Sequence, residues 1–331
     1  VMITKIFLVR HAEAEGNLFR VAHGQYDSNL TPRGYHQLHY LRQRFEGVHL
    51  DAVYGSDLTR THATASALYV PRQLPFQPLP LLREVRLGDW EERTWAEIKR
   101  RDPDMYRWFN KRPDLWRVEG AESFQTVAER TVGGIRRIAA ENPGKTVAAA
   151  SHGAALRILL GTLEGMSLQE IGESGHSDNT AVSLLEVEGD QIRVVFRDDA
   201  SHVPPEWSTF RRQNWYKDGG GDEDFWFIPM ATEGRMVLRA MLGKEESGLV
   251  TFRREADAMR ITNYVVDPQL RGRHLGVQLL GQAVKYARRQ GLWTLVLTCS
   301  EDLRGYFAQY GFESAGPDMT LDLHLTIREI P

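Results

Sequence analysis

Two arginines and two histidines, each placed where an apolar run ends, carry the residue types for phosphoryl chemistry. Arg10 and His11 stand in Leu-Val-Arg-His-Ala-Glu (8–13), Arg60 in Ser-Asp-Leu-Thr-Arg-Thr (56–61), and His152 in Ala-Ser-His-Gly (150–153). Two guanidinium forks beside two imidazoles describe a pocket for a tetrahedral dianion. An unprotonated imidazole nitrogen can accept a phosphoryl group and pass it to water, and His11 is the expected nucleophile. Arg10 and Arg60 would hold the equatorial oxygens, where charge sits in the transition state. His152, charged beside the phosphate, would add another donor, and Glu84 is the candidate general acid for the departing alkoxide. Asn17 and the backbone near Gly24 would complete the oxyanion contacts. Taken singly, each residue has a plainer reading as a satisfied polar group or a solvated side chain. The competing arrangement is a metal centre on His11, His152, His176 and His202. The flanking arginines would repel a divalent cation and no helical His-x-x-x-His pair occurs, so no metal is expected.

The elements that must position these residues follow from the apolar pattern. Ile6–Val9, Ala52–Tyr54 and Val147–Ala150 read as short strands, each leading into a helical period. In an open α/β sheet the carboxyl ends of such strands share one rim, where ligands bind. Thr31 and Pro32 open a helix carrying Tyr35, Leu38, Leu41 and Phe45 on one face. The proline-containing stretch 71–82 reads as an exposed connection reaching Glu84. The tryptophan- and arginine-rich stretch 94–117 reads as a cap over the rim, with Arg107 and Arg112 as candidate contacts to a second anionic group. Strand–helix alternation over residues 3–200 implies a mostly parallel sheet covered on both faces, a three-layer α/β/α sandwich.

The chain has 331 residues, more than one core usually holds, so two domains are expected. Residues 1–200 form the first and residues 225–331 a smaller α/β domain. Residues 201–224, with Pro204-Pro205 and Gly219-Gly220-Gly221, link them. A net charge of −3 provides no field for nucleic acid or an anionic membrane, so any anion must be met locally. One cysteine, Cys299, excludes an intramolecular disulfide and fits a reducing compartment; with the early start of the first strand, a cytoplasmic protein is expected. Trp207, Trp215 and Trp226 around the linker have two readings: a seal between domains, or a self-association surface and hence a homodimer.

The order of the N-terminal segments resembles the histidine phosphatase superfamily, the phosphoglycerate-mutase-like group. Arg10-His11 matches its Arg-His-Gly signature, with Ala12 where glycine is usual. Asn29-Leu30-Thr31-Pro32-Arg33-Gly34, the Arg60 segment, Leu82-Arg83-Glu84 and Ser151-His152-Gly153 resemble its further motifs in order. The resemblance implies a phosphoglycerate-mutase-like fold and metal-independent phosphohistidine chemistry at His11 on a small phosphorylated metabolite. The moderate, aromatic interval from Glu84 to Thr146 favours a phosphatase. A phosphoglycerate mutase or a sugar-bisphosphate phosphatase is the alternative.

In the second domain, Val266 to Gly276 joins a strand to a helix through Arg271, Gly272, Arg273, His274 and Leu275. Backbone N–H groups at such a turn suit a pyrophosphate. The segment resembles the acyl-CoA loop of the GNAT acetyltransferases, with His274 replacing the first glycine. Tyr306 to Phe312 resembles the later Tyr-x-x-x-Gly-Phe segment, although Phe307 takes the usual tyrosine position and Tyr306 lies one residue away. The resemblance implies acetyl-CoA as cofactor and an amine acceptor. Little chain precedes the strand at Val237 to build an acceptor wall, so a catalytically inactive CoA-binding or assembly module is the alternative.

Overall fold

The structure, a computed structural model, describes residues 2–212, 224–232 and 234–331. Its first part runs β1 (Thr4–Arg10), α1 (Glu15–Phe19), α2 (Pro32–Arg44), β2 (Ala52–Gly55), α3 (Thr59–Tyr69) and β3 (Phe76–Pro78). It continues through α4 (Trp95–Arg101), α5 (Pro103–Lys111), α6 (Phe124–Glu141), β4 (Thr146–Ser151), α7 (Gly153–Leu163) and α8 (Leu168–Glu173). Strands β5 (Val182–Glu188) and β6 (Gln191–Asp199) and the short helix α9 (Thr209–Arg212) end it. The six strands form one sheet in the order β3-β2-β4-β1-β5-β6. The first four are mutually parallel, and β5 and β6 add antiparallel strands at one edge.

Helices cover both faces, which explains why the central strands are continuously apolar. Val9, Val53 and Ala148 pack beneath Leu38 and Leu41 of α2 and the alanines of α3. Ile6, Leu8 and Val147 face Ile135 and Ile138 of α6 and Leu156, Leu159 and Leu160 of α7 on the other side. Helix α2 starts where its residues dictate: the Thr31 side chain accepts from the Gly34 N–H, and Pro32 occupies the first turn. The stretch 71–82 departs from its expected exposure. Phe76–Pro78 pairs parallel with β2, and Leu79 and Leu82 are buried in the α6–α7 core. Proline is tolerated there because the strand lies at the sheet edge.

The second sheet comes from β7 (Trp226–Thr232), β8 (Arg235–Leu242), β9 (Glu245–Glu255), β10 (Ala258–Val266), β11 (Thr294–Thr298), β12 (Glu313–Ala315) and β13 (Asp318–Asp322). Helix α10 (Gly276–Arg289) joins β10 to β11, and α11 (Glu301–Ala308) follows β11. The strand order is β12-β13-β11-β10-β9-β8-β7. Strand β7 was not anticipated; it pairs antiparallel with β8 along its whole length, from Trp226↔Met241 to Thr232↔Arg235. Only two residues separate the two strands, so no helix intervenes.

The two parts share buried surface. Phe19 of α1 belongs to the second hydrophobic core, and a Cβ on Gly281 of α10 would lie 2.5 Å from the Phe19 Cβ. Arg20 pairs with Asp224 at 2.8 Å, and Gln278 of α10 donates to the same carboxylate at 3.1 Å. Arg288 binds Glu15, and the Lys285 ammonium donates to the Glu92 carbonyl. Trp207 stacks on His36 of α2, and the Arg100 guanidinium of α4 lies 3.8 Å from the Trp226 ring centroid. Both rings therefore contact the first part of the chain; Trp215 and Gly219-Gly220-Gly221 lie outside the described residues. Among the described residues, no helix is long and apolar enough to cross a membrane.

Candidate active site

Strands β1, β2 and β4 end at one rim and bring their motif residues together. The His11 N–H donates to the Ser151 carbonyl at 2.9 Å, which carries the β1–β4 register to the tip of both strands. The His11 and His152 rings then stand 5.3 Å apart between centroids, near edge-to-face. His11 Nδ1 lies 2.7 Å from the Ala12 carbonyl. A carbonyl only accepts, so Nδ1 carries the proton and Nε2 keeps the lone pair. Burial, then the nearby Arg60 and Arg10 charges, holds His11 well below the usual imidazole range. The ring is accordingly neutral around neutral pH, the state a nucleophile requires. Ala12, in the usual glycine position, is fully buried, and its N–H donates to Thr64 at 3.0 Å, so the methyl group is accommodated.

Arg60, 1% exposed on the first turn of α3, is aimed by two carbonyls. Its Nη2 donates to Gly24 at 2.7 Å and its Nη1 to Tyr26 at 2.9 Å. The Gly24 carbonyl thus orients Arg60, a role different from the oxyanion contact expected of that backbone. Arg10 donates from Nη1 to the Ser177 carbonyl and has a buried Nε with no partner. A Cβ at residue 153 would come 3.1 Å from that Nε, which accounts for glycine after His152. Glu84 accepts from the N–H groups of Ala155 (2.8 Å), Ala154 (3.1 Å) and Val85 (2.9 Å), which fix the carboxyl at the start of α7. Asn17 Oδ1 accepts from the Ala14 N–H at 3.1 Å, placing the amide on the pocket wall.

His152 lies beside His11. It is fully buried with both ring nitrogens unpartnered, and burial and then Arg60 hold it well below the usual range. Its ring is therefore neutral in the protein's own field, before any phosphate is bound. The cap arginines are a correction. Arg107 pairs with Asp104 at 3.0 Å and Arg112 with Asp114 at 2.7 Å, both at the surface, and neither lines the pocket. Trp95 of α4 and Tyr106, Phe109 and Asn110 of α5 line it instead.

The cavity measures about 150 Å³ and also meets Arg20, His23 and Arg157, which sequence reasoning did not place in the site, and His176, which it named only in the competing metal centre. Arg157 had a readable signal: it lies four residues after Gly153 and three after Ala154, on the same face of α7. Arg20 and His23 had none, because their segments are joined to the rim only through space. Among the described residues, no group of three or more His, Cys, Asp or Glu side chains could hold a metal ion.

Comparison with known proteins adds what geometry alone does not give. The family model "Histidine phosphatase superfamily (branch 1)" matches residues 6–200. The chain belongs to the histidine phosphatase superfamily. The match spans the six-stranded histidine phosphatase sheet, and a second family model, "GCN5-related N-acetyl-transferase", matches residues 236–309 in the other sheet. Phosphoserine phosphatase 1 of Hydrogenobacter thermophilus is 29% identical over 186 residues, 56% of this chain and 88% of that protein. The adenosylcobalamin/alpha-ribazole phosphatase of Escherichia coli is 32% identical over 163 residues, covering 49% of this chain and 80% of its own. Among solved structures, Bacillus stearothermophilus YhfR is 32% identical with a TM-score of 0.59, and covers 61% of this chain and 100% of its own.

The turn of the GNAT-like sheet can be described in the same terms. Strand β10 pairs parallel with β11 only over Met259–Ile261, shifts register at Ile261/Asn263, and runs on to Val266 beside β9 alone. Strand β11 ends at Thr298, so β10 outruns it toward the turn. Arg271, Gly272, Arg273 and His274 are exposed there, and Leu275 and Val266 are buried beneath them. His274 has φ 59°, the left-handed region that the usual glycine would enter without strain. At Gly276 a Cβ would lie 2.9 Å from the hydroxyls of both Tyr264 and Tyr306, which bond each other at 2.8 Å. Phe307, in the position where the family has its tyrosine, is buried in the core.

Proposed function

We propose that the pocket hydrolyses small phosphomonoesters without metal, through a phosphohistidine on His11. The observation that carries this reading is the His11 tautomer: the Nδ1 proton bound to Ala12 leaves Nε2 to attack, beside Arg10 and Arg60. Nε2 forms a bond to phosphorus as the ester P–O bond breaks, and Glu84 gives its proton to the alkoxide. Arg10, Arg60 and an N–H of His152 hold the equatorial oxygens. Glu84, now a carboxylate, takes a proton from water as its oxygen attacks phosphorus. The P–N bond breaks, phosphate leaves, and the neutral ring is restored. The aromatic cap and the small cavity favour water as the final acceptor, hence a phosphatase over a mutase. The relatives' names differ in substrate, phosphoserine in one and alpha-ribazole phosphate chemistry in the other, and fix none for this chain. Phosphate release from p-nitrophenyl phosphate and 3-phosphoglycerate, measured with and without EDTA, tests the reading. Loss of activity with chelator, or full activity in His11→Ala, overturns it; conversion of 3-phosphoglycerate to 2-phosphoglycerate favours the mutase.

For the second sheet we propose acyl-CoA binding at the Val266–Gly276 turn, with the pantetheine chain where β10 outruns β11. Arg271 and Arg273 are exposed beside the turn and suit the pyrophosphate. Acetyl transfer to an amine is the finer proposal. Among the described residues no helix lies between β7 and β8 to wall an acceptor, so binding without transfer is the alternative. Calorimetric titration with acetyl-CoA separates these from a purely structural module, which shows no heat at millimolar ligand. An amine-acetylation assay then separates transfer from binding.

A further inference from the structure

The pocket holds more positive charge than one phosphate explains. Arg157 on α7 is 5% exposed and lines the cavity beyond Glu84, and its buried Nε and Nη2 have no hydrogen-bond partner. The nearest acidic influence on it is Glu84, whose oxygens are already engaged by backbone N–H groups. A buried guanidinium with unsatisfied donors is costly unless a ligand completes it. Its position follows from helix geometry: one turn along α7 from Gly153 and Ala154, which themselves line the cavity, about 5 Å further from the phosphate end. His176, Tyr106 and Asn110 line the cavity with it, all groups that can stand beside an anion.

We infer that Arg157 is a specificity-determining residue that binds a carboxylate of the substrate, so the preferred phosphomonoesters are small acids phosphorylated two or three bonds from their carboxylate. This rests on the phosphomonoesterase reading above and narrows it. The cavity, about 150 Å³, is below the roughly 300–1,000 Å³ of pockets for drug-sized ligands, which favours a three-carbon skeleton over a nucleoside. A planar fork pairs with a carboxylate through two parallel bonds, and Nε and Nη2 are the two donors left open.

The test compares 3-phosphoglycerate with glycerol 3-phosphate, which carries a hydroxymethyl group in place of the carboxylate, on the full chain. Wild type should favour 3-phosphoglycerate by about 30-fold or more in kcat/KM, expressed mainly in KM. Arg157→Met should bring that ratio to within about threefold, and Arg157→Lys should fall between, keeping charge without the fork. A merely structural arginine would lower both esters alike and leave the ratio unchanged, which overturns the inference. A wild type with no preference also overturns it, and that measurement decides even if Arg157→Met fails to fold. A wild type that hydrolyses neither ester nor p-nitrophenyl phosphate instead removes the phosphomonoesterase reading, and this inference with it.

Discussion

At the scale of single residues, catalysis depends on which atoms carry protons. As the proposed nucleophile His11 must be neutral, and burial with two neighbouring guanidiniums keeps it so far into the acid range. Once the ester's own second ionisation, about pH 6, is divided out, the acid limb of kcat/KM should lie well below pH 6.5, and a remaining limb centred near that value would contradict the assignment. Glu84 is predicted to matter most when the leaving group is poor. Glu84→Gln should lower kcat on glycerol 3-phosphate by about 10²–10³-fold, and at least about tenfold less on p-nitrophenyl phosphate, whose phenolate needs no proton. Steady-state rates on the two esters check this. Part of the residue-scale picture was readable from local spacing, including pairs the sequence reading passed over. Arg107 with Asp104, and Arg112 with Asp114, are three and two residues apart, close enough to pair at the surface.

At the scale of elements, the rim works because three parallel strands end level and their loops turn immediately into helices. The apolar runs and the Thr31-Pro32 start made β1, β2, β4 and α2 legible, since period and capping are local properties. Strands β3 and β7 were not legible. Each lies at a sheet edge, where prolines and exposed faces remove the alternation that marks a strand. The turn before α10 gives an element-scale prediction. His274 sits at φ 59°, so His274→Gly should melt at or above the wild-type temperature. His274→Val should cost about 1–2 kcal/mol, because a β-branched side chain resists the left-handed region. Thermal denaturation of the two variants checks both signs.

At the scale of the whole molecule, α10 is packed on two sides, with its own sheet beneath it and α1 of the phosphatase pocket above. Gly281→Ala would push a methyl group into Phe19 and should destabilise the protein by about 1–3 kcal/mol. It should also raise KM for phosphomonoesters, since Gly16, Asn17, Arg20 and Val21, on the α1 segment that carries Phe19, line the cavity. Melting and steady-state kinetics on one preparation test the link. Overall stability should also depend on pH through the buried imidazoles. Burial holds His11, His23 and His152 well below the usual range and His176 at about 3. In the unfolded chain these rings take up protons near pH 6.5, which the folded protein refuses until far lower pH. Their contribution is therefore complete above pH 6.5 and is lost as pH falls, by up to about 1.4 kcal/mol per pH unit for each ring. Melting temperatures from pH 7.5 to 4.5 should fall steeply; a flat profile contradicts the sign.

By itself the sequence determined the strand–helix alternation and the identity of the groups that can handle a phosphoryl unit, because both are written in neighbouring residues. Only the tertiary structure decided that the Ala12 carbonyl holds the His11 proton and that buried His152 is neutral. It also decided that Arg157 faces the cavity without a partner and that Phe19 lies in the other core. Those outcomes depend on desolvation and on contacts between segments far apart in the chain, and no local pattern encodes either one.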